Sequence, residues 1–189
     1  MKRKFKLVTA IASLTAAIAL LMFGVYAAGV RTVDVTGTVS FAATNVQATV
    51  TVYSNKAATV ATTDNEEGTY SFTDTTTNTV GGDITGVDVT LGDDDYTWSY
   101  LVVITNTFGT GGASVAVSVV PPTAPAEWVT YTEKSGTDLG ALGAFNAAAT
   151  IPAQGTHYWL FTYVINPAIA PAAANFAIDS EYVLARVNA

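Results

Sequence analysis

Thr32-Val33-Asp34-Val35-Thr36-Gly37-Thr38-Val39-Ser40-Phe41 is the stretch from which the fold of this 189-residue chain can be read. Val33, Val35, Gly37, Val39 and Phe41 alternate without a break with Thr32, Asp34, Thr36, Thr38 and Ser40. Successive side chains of a strand point to opposite faces, so the pattern sets an apolar row against a core and a hydroxyl-rich row toward water. A helix of the same sequence would scatter its valines around the circumference. The stretch reads as a half-buried β-strand.

The same period recurs on the C-terminal side. Asn45–Tyr53 carries Val46, Ala48, Val50 and Val52, and Thr156–Ile165 places His157, Trp159, Phe161, Tyr163 and Ile165 on one face. Trp98–Thr105 and Ala113–Val120 read as more heavily buried strands, and Asn175–Val187 as one long run. Ala57–Thr62, Thr69–Thr73, Ile84–Leu91 and Trp128–Thr132 are shorter candidates. Gly81-Gly82-Asp83, Gly92-Asp93-Asp94-Asp95, Gly109-Thr110-Gly111-Gly112 and Pro121-Pro122 carry turn chemistry. Asp74–Gly82 reads as a Thr-rich loop, and Gly136–Ala149 as an Ala- and Gly-rich segment with room for one helical turn. Threonine supplies 28 of the 162 residues after Ala27, while Leu, Glu, Lys and Arg are scarce there. That composition fits a pleated surface better than a helix. The expected fold is all-β: a single two-sheet, jelly-roll-like sandwich of about 8–10 strands, preceded by an N-terminal hydrophobic signal helix.

The segment ahead of the first strand has a different character. Lys2, Arg3, Lys4 and Lys6 precede an apolar stretch from Leu7 to Val25, and Val25-Tyr26-Ala27 offers small residues at a cleavage site. A basic start, an apolar core and a small-residue exit make a secretory signal peptide over residues 1–27. An uncleaved anchor is the alternative, and it is the one route by which this chain would touch a membrane. Everything after residue 28 is expected outside the cell or at its surface. Removal of the signal leaves four Lys and Arg against 15 Asp and Glu, a formal charge of −11 in place of −7.

Composition also excludes chemistry. With no Cys, the chain has no thiol nucleophile, disulfide, zinc-thiolate site or iron–sulfur cluster. The acidic balance argues against a nucleic-acid partner, which needs clustered Lys and Arg. His157 is the only imidazole, and neither an H-E-x-x-H metal motif nor a G-x-S-x-G elbow accompanies it. A packed core residue is the expected role, and no enzyme activity is expected. Asp93, Asp94 and Asp95 form the densest charge, readable as a solvated turn or as part of a calcium site. No other cofactor is implied. Trp98, Trp128 and Trp159 read as core packing, or alternatively as a sugar-stacking platform in a secreted carbohydrate-binding module.

The opening strand carries one further signal. Residues 28–44 follow the cleavage site directly, ahead of a sandwich domain over 45–189. A terminal strand can remain in its own sheet, or leave it and complete the sheet of a neighbour, with Val33, Val35, Gly37, Val39 and Phe41 filling the neighbour's pockets. Such head-to-tail pairing does not close, so identical subunits form a filament.

Several short features together resemble the TasA/camelysin group of secreted bacterial matrix-fibre proteins. They are the signal ending in Gly24-Val25-Tyr26-Ala27-Ala28, the strand Leu101-Val102-Val103-Ile104-Thr105-Asn106-Thr107, the unit Ile151-Pro152-Ala153-Gln154-Gly155-Thr156 and a closing strand rich in Phe and Ile. The resemblance implies a jelly-roll subunit of an extracellular filament or biofilm matrix, polymerising by N-terminal donor-strand complementation.

Overall fold

A computed structural model of the chain describes residues 31–56, 58–73, 78–91, 96–123, 127–169 and 173–187. Twelve strands occur among the described residues: β1 (Arg31–Thr44), β2 (Gln47–Asn55), β3 (Asn65–Thr73), β4 (Asn78–Leu91), β5 (Tyr96–Asn106), β6 (Ser114–Val120), β7 (Val129–Gly136), β8 (Gly143–Ala144), β9 (Ala148–Ile151), β10 (Thr156–Ile165), β11 (Ala173–Ala177) and β12 (Ser180–Val187). A 3-10 turn at Leu139–Ala141 lies between β7 and β8.

The strands form two six-stranded sheets. In the first, β4 runs antiparallel to β1 along almost its whole length. A strand has two edges, so the remaining partners of β1 must share the other one. There β11 pairs with residues 32–36 and β12 with residues 39–44, both parallel to β1. Beyond β12 come β6 and then β9. The second sheet has the order β3-β2-β5-β10-β7-β8.

Period-two burial decides how the sheets face one another. Val39, Phe41 and Ala43 from β1, Val115, Val117 and Val119 from β6, and Tyr182 and Leu184 from β12 point inward. They meet Val50 and Val52 of β2, Trp98, Tyr100 and Ile104 of β5, and Trp159, Phe161 and Tyr163 of β10. Aromatic rings fill the centre, with Tyr100 stacked on Phe161 at 4.7 Å and Trp98 against Tyr163 at 5.6 Å. Such pairs add to simple area burial, and the all-β sandwich expected from the sequence has its core here.

The two outer faces differ. Leu101 and Leu160 face away from the main core, where Val60 and the partly buried Leu139 and Leu142 cover them. Hence β5 and β10 are buried on both sides, as the continuous apolar run of β5 suggests. In contrast, β6 is buried on one side only, although Ala113–Val120 reads as heavily buried. Among the described residues nothing covers its outer side.

Four stretches depart from what their local sequence suggests. Ala57–Thr62 is not a strand over its described residues; the segment folds back where the Asp64 carboxylate accepts hydrogen bonds from Ala61 N–H and Asn55 Nδ2, both at 2.8 Å. Gly81-Gly82-Asp83 is not a turn, and residues 78–82 of the expected Thr-rich loop belong to β4. Pairing with β1 carries the strand through both glycines, because context outweighs weak strand propensity. Asn175–Val187 is not continuous but breaks at Ile178-Asp179. The Ala- and Gly-rich segment does hold one 3-10 turn, capped by the Asp138 carboxylate on Gly140 N–H at 2.9 Å, yet it also contributes β8 and part of β9.

Candidate functional site: the seat of the first strand

The break in the last strand lies directly beside Gly37. Ile178 turns its main chain toward β1 there, and a Cβ placed on Gly37 would come within 2.6 Å of both the Ile178 carbonyl oxygen and its Cγ1. No real Cβ approaches backbone so closely, so Gly37 is required by close approach rather than by an unusual dihedral angle. The pairing of β1 with β4 also shifts register between Val35 and Gly37. The strand is thus indented at one point, and Ile178, 0 % exposed, fills the indentation.

Hydrogen bonding adapts to the same break. Ile178 N–H donates to the Thr36 carbonyl at 2.9 Å. Two residues along β1, Thr38 N–H donates to the Asp179 carboxylate at 3.0 Å. Ser40 Oγ donates to the Ser180 carbonyl at 3.4 Å. A side chain thus serves as the acceptor for the Thr38 N–H beside the break.

Below the break, apolar side chains anchor the strand. Phe41 packs between Tyr182, at 5.1 Å, and Tyr70, at 5.5 Å. Val39 and Ala43 flank it inside the core. Of the five residues expected to fill a pocket, Val39 and Phe41 are core side chains and Gly37 is the contact with Ile178. Val33 and Val35 lie in the ladder opposite Ala174 and Phe176.

β1 leaves its sheet at Asn45, which has φ +54°. Asparagine tolerates this left-handed conformation better than most residues. Val46 then enters the core and β2 begins in the opposite sheet. The rest of the described domain is joined to β1 through this one residue.

A second group of hydrogen bonds holds the far end of the sandwich. Asn106, 0 % exposed, donates from Nδ2 to the carbonyls of Ala113 at 2.9 Å and Ile151 at 3.0 Å. Its Oδ1 accepts from Phe108 N–H at 3.0 Å, and its own N–H donates to the Gly155 carbonyl at 2.9 Å. Gly155 N–H closes the Pro152–Gly155 turn on the Pro152 carbonyl at 2.9 Å, with Gln154 at φ +63°. The strand end Asn106-Thr107 and the turn Pro152-Ala153-Gln154-Gly155, far apart in sequence, therefore meet in space.

The core also contains polar groups. Tyr100, Tyr163 and Tyr182 are all 0 % exposed, and burial pushes each phenol well above its usual range. At Tyr100 and Tyr182 the Ser180 hydroxyl offsets a small part of that rise. Tyr131 donates to Glu133 at 2.8 Å, and its phenol is also raised, first by burial and then by that bond. The His157 ring lies tilted against Trp159 with centroids 4.4 Å apart, and desolvation lowers its pKa.

Trp98 and Trp159 are core residues, and Trp159 Nε1 donates to the Asn146 carbonyl at 3.1 Å. Trp128 is partly buried against the same core. Neither fully buried indole offers a face to sugar. Asp93, Asp94 and Asp95 lie outside the described residues, as does the 1–27 segment. Among the described residues no cluster of His, Asp and Glu could hold a metal ion.

No family model matches the chain, and no curated protein does. Among solved structures, it is similar to the major pilin protein T-13 of Streptococcus pyogenes at 10 % identity, over 84 % of this chain and 99 % of that one. The TM-score is 0.19, and an overlap of that quality carries no argument about function.

Proposed function

We propose that this chain is a secreted structural subunit of an extracellular filament or surface matrix, assembling by exchange of β1 between identical copies. The observation that carries the reading is the mounting of β1. The strand lies inside a sheet, with partners on both edges and three side chains in the core, yet it joins the described domain only through Asn45. Its two partners on one edge run parallel to it, so no hairpin pins it there.

A strand moved from its own seat to the same seat in a neighbour keeps the ladder to β4, β11 and β12, the Ile178 contact at Gly37 and the Phe41 anchor. The new seat reproduces every interaction of the old one, so the net cost is the freedom lost on association plus the change at Asn45. Because each copy gives one strand and receives one, the chain of exchanges stays open and grows as a filament. The fold contains no disulfide, so a secreted subunit of this kind gains stability from its neighbours.

Removing residues 28–41 tests the reading. Electron microscopy of the secreted protein at high concentration is expected to show filaments, and none after the deletion. The deleted protein should remain soluble but less stable, having lost Val39 and Phe41 from the core, a loss of about 3–5 kcal/mol or more. Filaments that persist without residues 28–41 would exclude strand exchange.

A further inference from the structure

Two strands of this chain carry nearly the same five residues. β1 has Gly37-Thr38-Val39-Ser40-Phe41, and β3 has Gly68-Thr69-Tyr70-Ser71-Phe72. The glycine, the two hydroxyl residues and the phenylalanine agree, and only the middle residue differs. In both strands the phenylalanine is buried, Phe41 at 0 % exposure and Phe72 at 5 %. The Phe41 and Tyr70 rings already meet across the core, 5.5 Å apart. In β1 the glycine is needed because Ile178 approaches it. In β3 it is not: Gly68 has no left-handed dihedral angle, and an added Cβ would meet only the Tyr70 ring, nearest at the hydroxyl end, 2.8 Å away, which can swing aside. Glycine weakens a strand interior, so its present place does not explain Gly68.

Chain order supplies a second observation. β4 follows β3 directly and pairs with β1 so that Phe41 stands opposite Val80 and Gly37 opposite Ile84. Putting Phe72 opposite Val80 puts Gly68 opposite Ile84, because the glycine precedes the phenylalanine by the same interval in both strands. That register leaves residues 75–77 to join the strands, a three-residue connection common in hairpins. Hence β3 can turn back on β4 in the direction and register that β1 now holds.

We propose that β3 is a stand-in for β1. In a subunit that has given its first strand and not yet received another, Gly68–Phe72 folds against β4 and fills the seat. The inference rests on the strand-exchange reading and adds its regulation: the receiving end of a filament is closed by its own chain until the first strand of another copy displaces β3.

The energetics favour such an order of events. An empty seat would leave β4 on one side, and β11 and β12 on the other, with unpaired main-chain groups that recruit wrong strands. Among the described residues β3 pairs only with β2, at the edge of its sheet, so its release breaks a single ladder. Its fit in the seat is the poorer one. Tyr70 is larger than Val39, which is 2 % exposed, and overpacking a core costs stability. Glu66 falls where β1 has Val35. A genuine first strand therefore replaces the stand-in.

Thiol trapping in the full chain tests it. Thr73 and Val183 are exposed residues of different sheets, which pack ~10 Å apart. With β3 in the seat, Thr73 takes the place of Ala42, the register partner of Val183. Thr73→Cys with Val183→Cys therefore bridges within one chain only when β3 is seated. Gly37→Val with Phe41→Asp bars β1 from every seat, and in that background oxidation is expected to give the bridge, located by peptide mass mapping. Adding Gly68→Ala sets a Cβ against the Ile178 carbonyl and should lower the bridged fraction at least about tenfold. With Gly37 and Phe41 intact the thiols should stay reduced. A bridge that is indifferent to Gly68→Ala, that forms equally with β1 intact, or that never forms would overturn the stand-in. Strand exchange, read from wild-type filaments in electron micrographs, would survive each of those results. Absence of wild-type filaments would overturn strand exchange and the stand-in with it.

Discussion

Replacing Asn106 by alanine is expected to remove most of the stability of the domain. The amide side chain makes three buried hydrogen bonds that bring together the end of β5, the entry to β6 and the exit of β9. Alanine supplies none of them. The carbonyls of Ala113 and Ile151 and the N–H of Phe108 would be stranded in a region from which water is excluded. Each unsatisfied group costs about 1–3 kcal/mol, so the three together cost about 3–9 kcal/mol. A domain of this size holds about 5–15 kcal/mol in total. Urea unfolding followed by circular dichroism should show the midpoint collapse. Asn106→Asp should do no better, since a carboxylate cannot donate to the two carbonyls. Thr107→Ala, one residue on and exposed, should stay within about 0.5 kcal/mol of wild type. A cost below about 1 kcal/mol for Asn106→Ala would mean that the network does not hold the two sheet ends.

High pH is expected to unfold the protein in one step, through its core tyrosines. Tyr100, Tyr163 and Tyr182 each have a folded-state pKa raised by burial. In the unfolded chain the same phenols ionise near pH 10. Above that pH the unfolded state has released protons that the folded state still holds, so stability falls as pH rises. One such group costs up to about 1.4 kcal/mol per pH unit, and three cost about 4 kcal/mol per pH unit. That gradient exhausts a stability of about 5–15 kcal/mol within a few units above pH 10. Tyrosinate absorbance from these three residues should therefore appear together with the loss of β-structure. Tyr182→Phe removes one of the three titrating groups and should move the alkaline midpoint upward relative to the neutral-pH stability of the same variant. Full tyrosinate absorbance in a chain that is still folded would contradict the burial of these rings.

The strands that the sequence reveals most clearly are those whose neighbours reinforce their period. β1 and β2 alternate because one face of each meets a single aromatic core, and the alternation survives in the residue types. β5 reads as continuously apolar because Val60 covers its second face near Leu101. β4 is only half legible. Its adjacent glycines Gly81 and Gly82 are breakers by local propensity, and the partner that overrides them, β1, lies some forty residues earlier. Ile178-Asp179 carries no breaker at all. The gap exists because β1 is indented at Gly37, and Thr38 and Asp179 are 141 residues apart.

The seat of β1 is legible in outline for the same reasons. An amphipathic strand with a central glycine is visible in one dimension, and Val39 and Phe41 do enter the core. The need for glycine at position 37 depends on Ile178, which no local pattern connects to it. Asn106 stands out only as the last residue of an apolar strand. Its three hydrogen bonds depend on loops that converge from Ala113 and Ile151, and nothing in the spacing of those residues announces the meeting.

A pair of thiols tests the exchange of β1 most directly. Ala42 and Val183 are register partners on the outer side of the β1–β12 ladder. Neighbouring strands at that spacing suit a disulfide, which needs Cα atoms about 4.4–6.8 Å apart. The chain has no cysteine of its own, so Ala42→Cys with Val183→Cys introduces the only two thiols. In a dispersed subunit the bridge forms within one chain. In an exchanged filament it joins each chain to the next. Oxidation of assembled filaments followed by non-reducing denaturing electrophoresis should give a ladder of covalent multimers, and the same treatment of dispersed protein should give monomer. Filaments that yield only internally bridged monomer would show that each β1 remains in its own sheet, and strand exchange would be refuted.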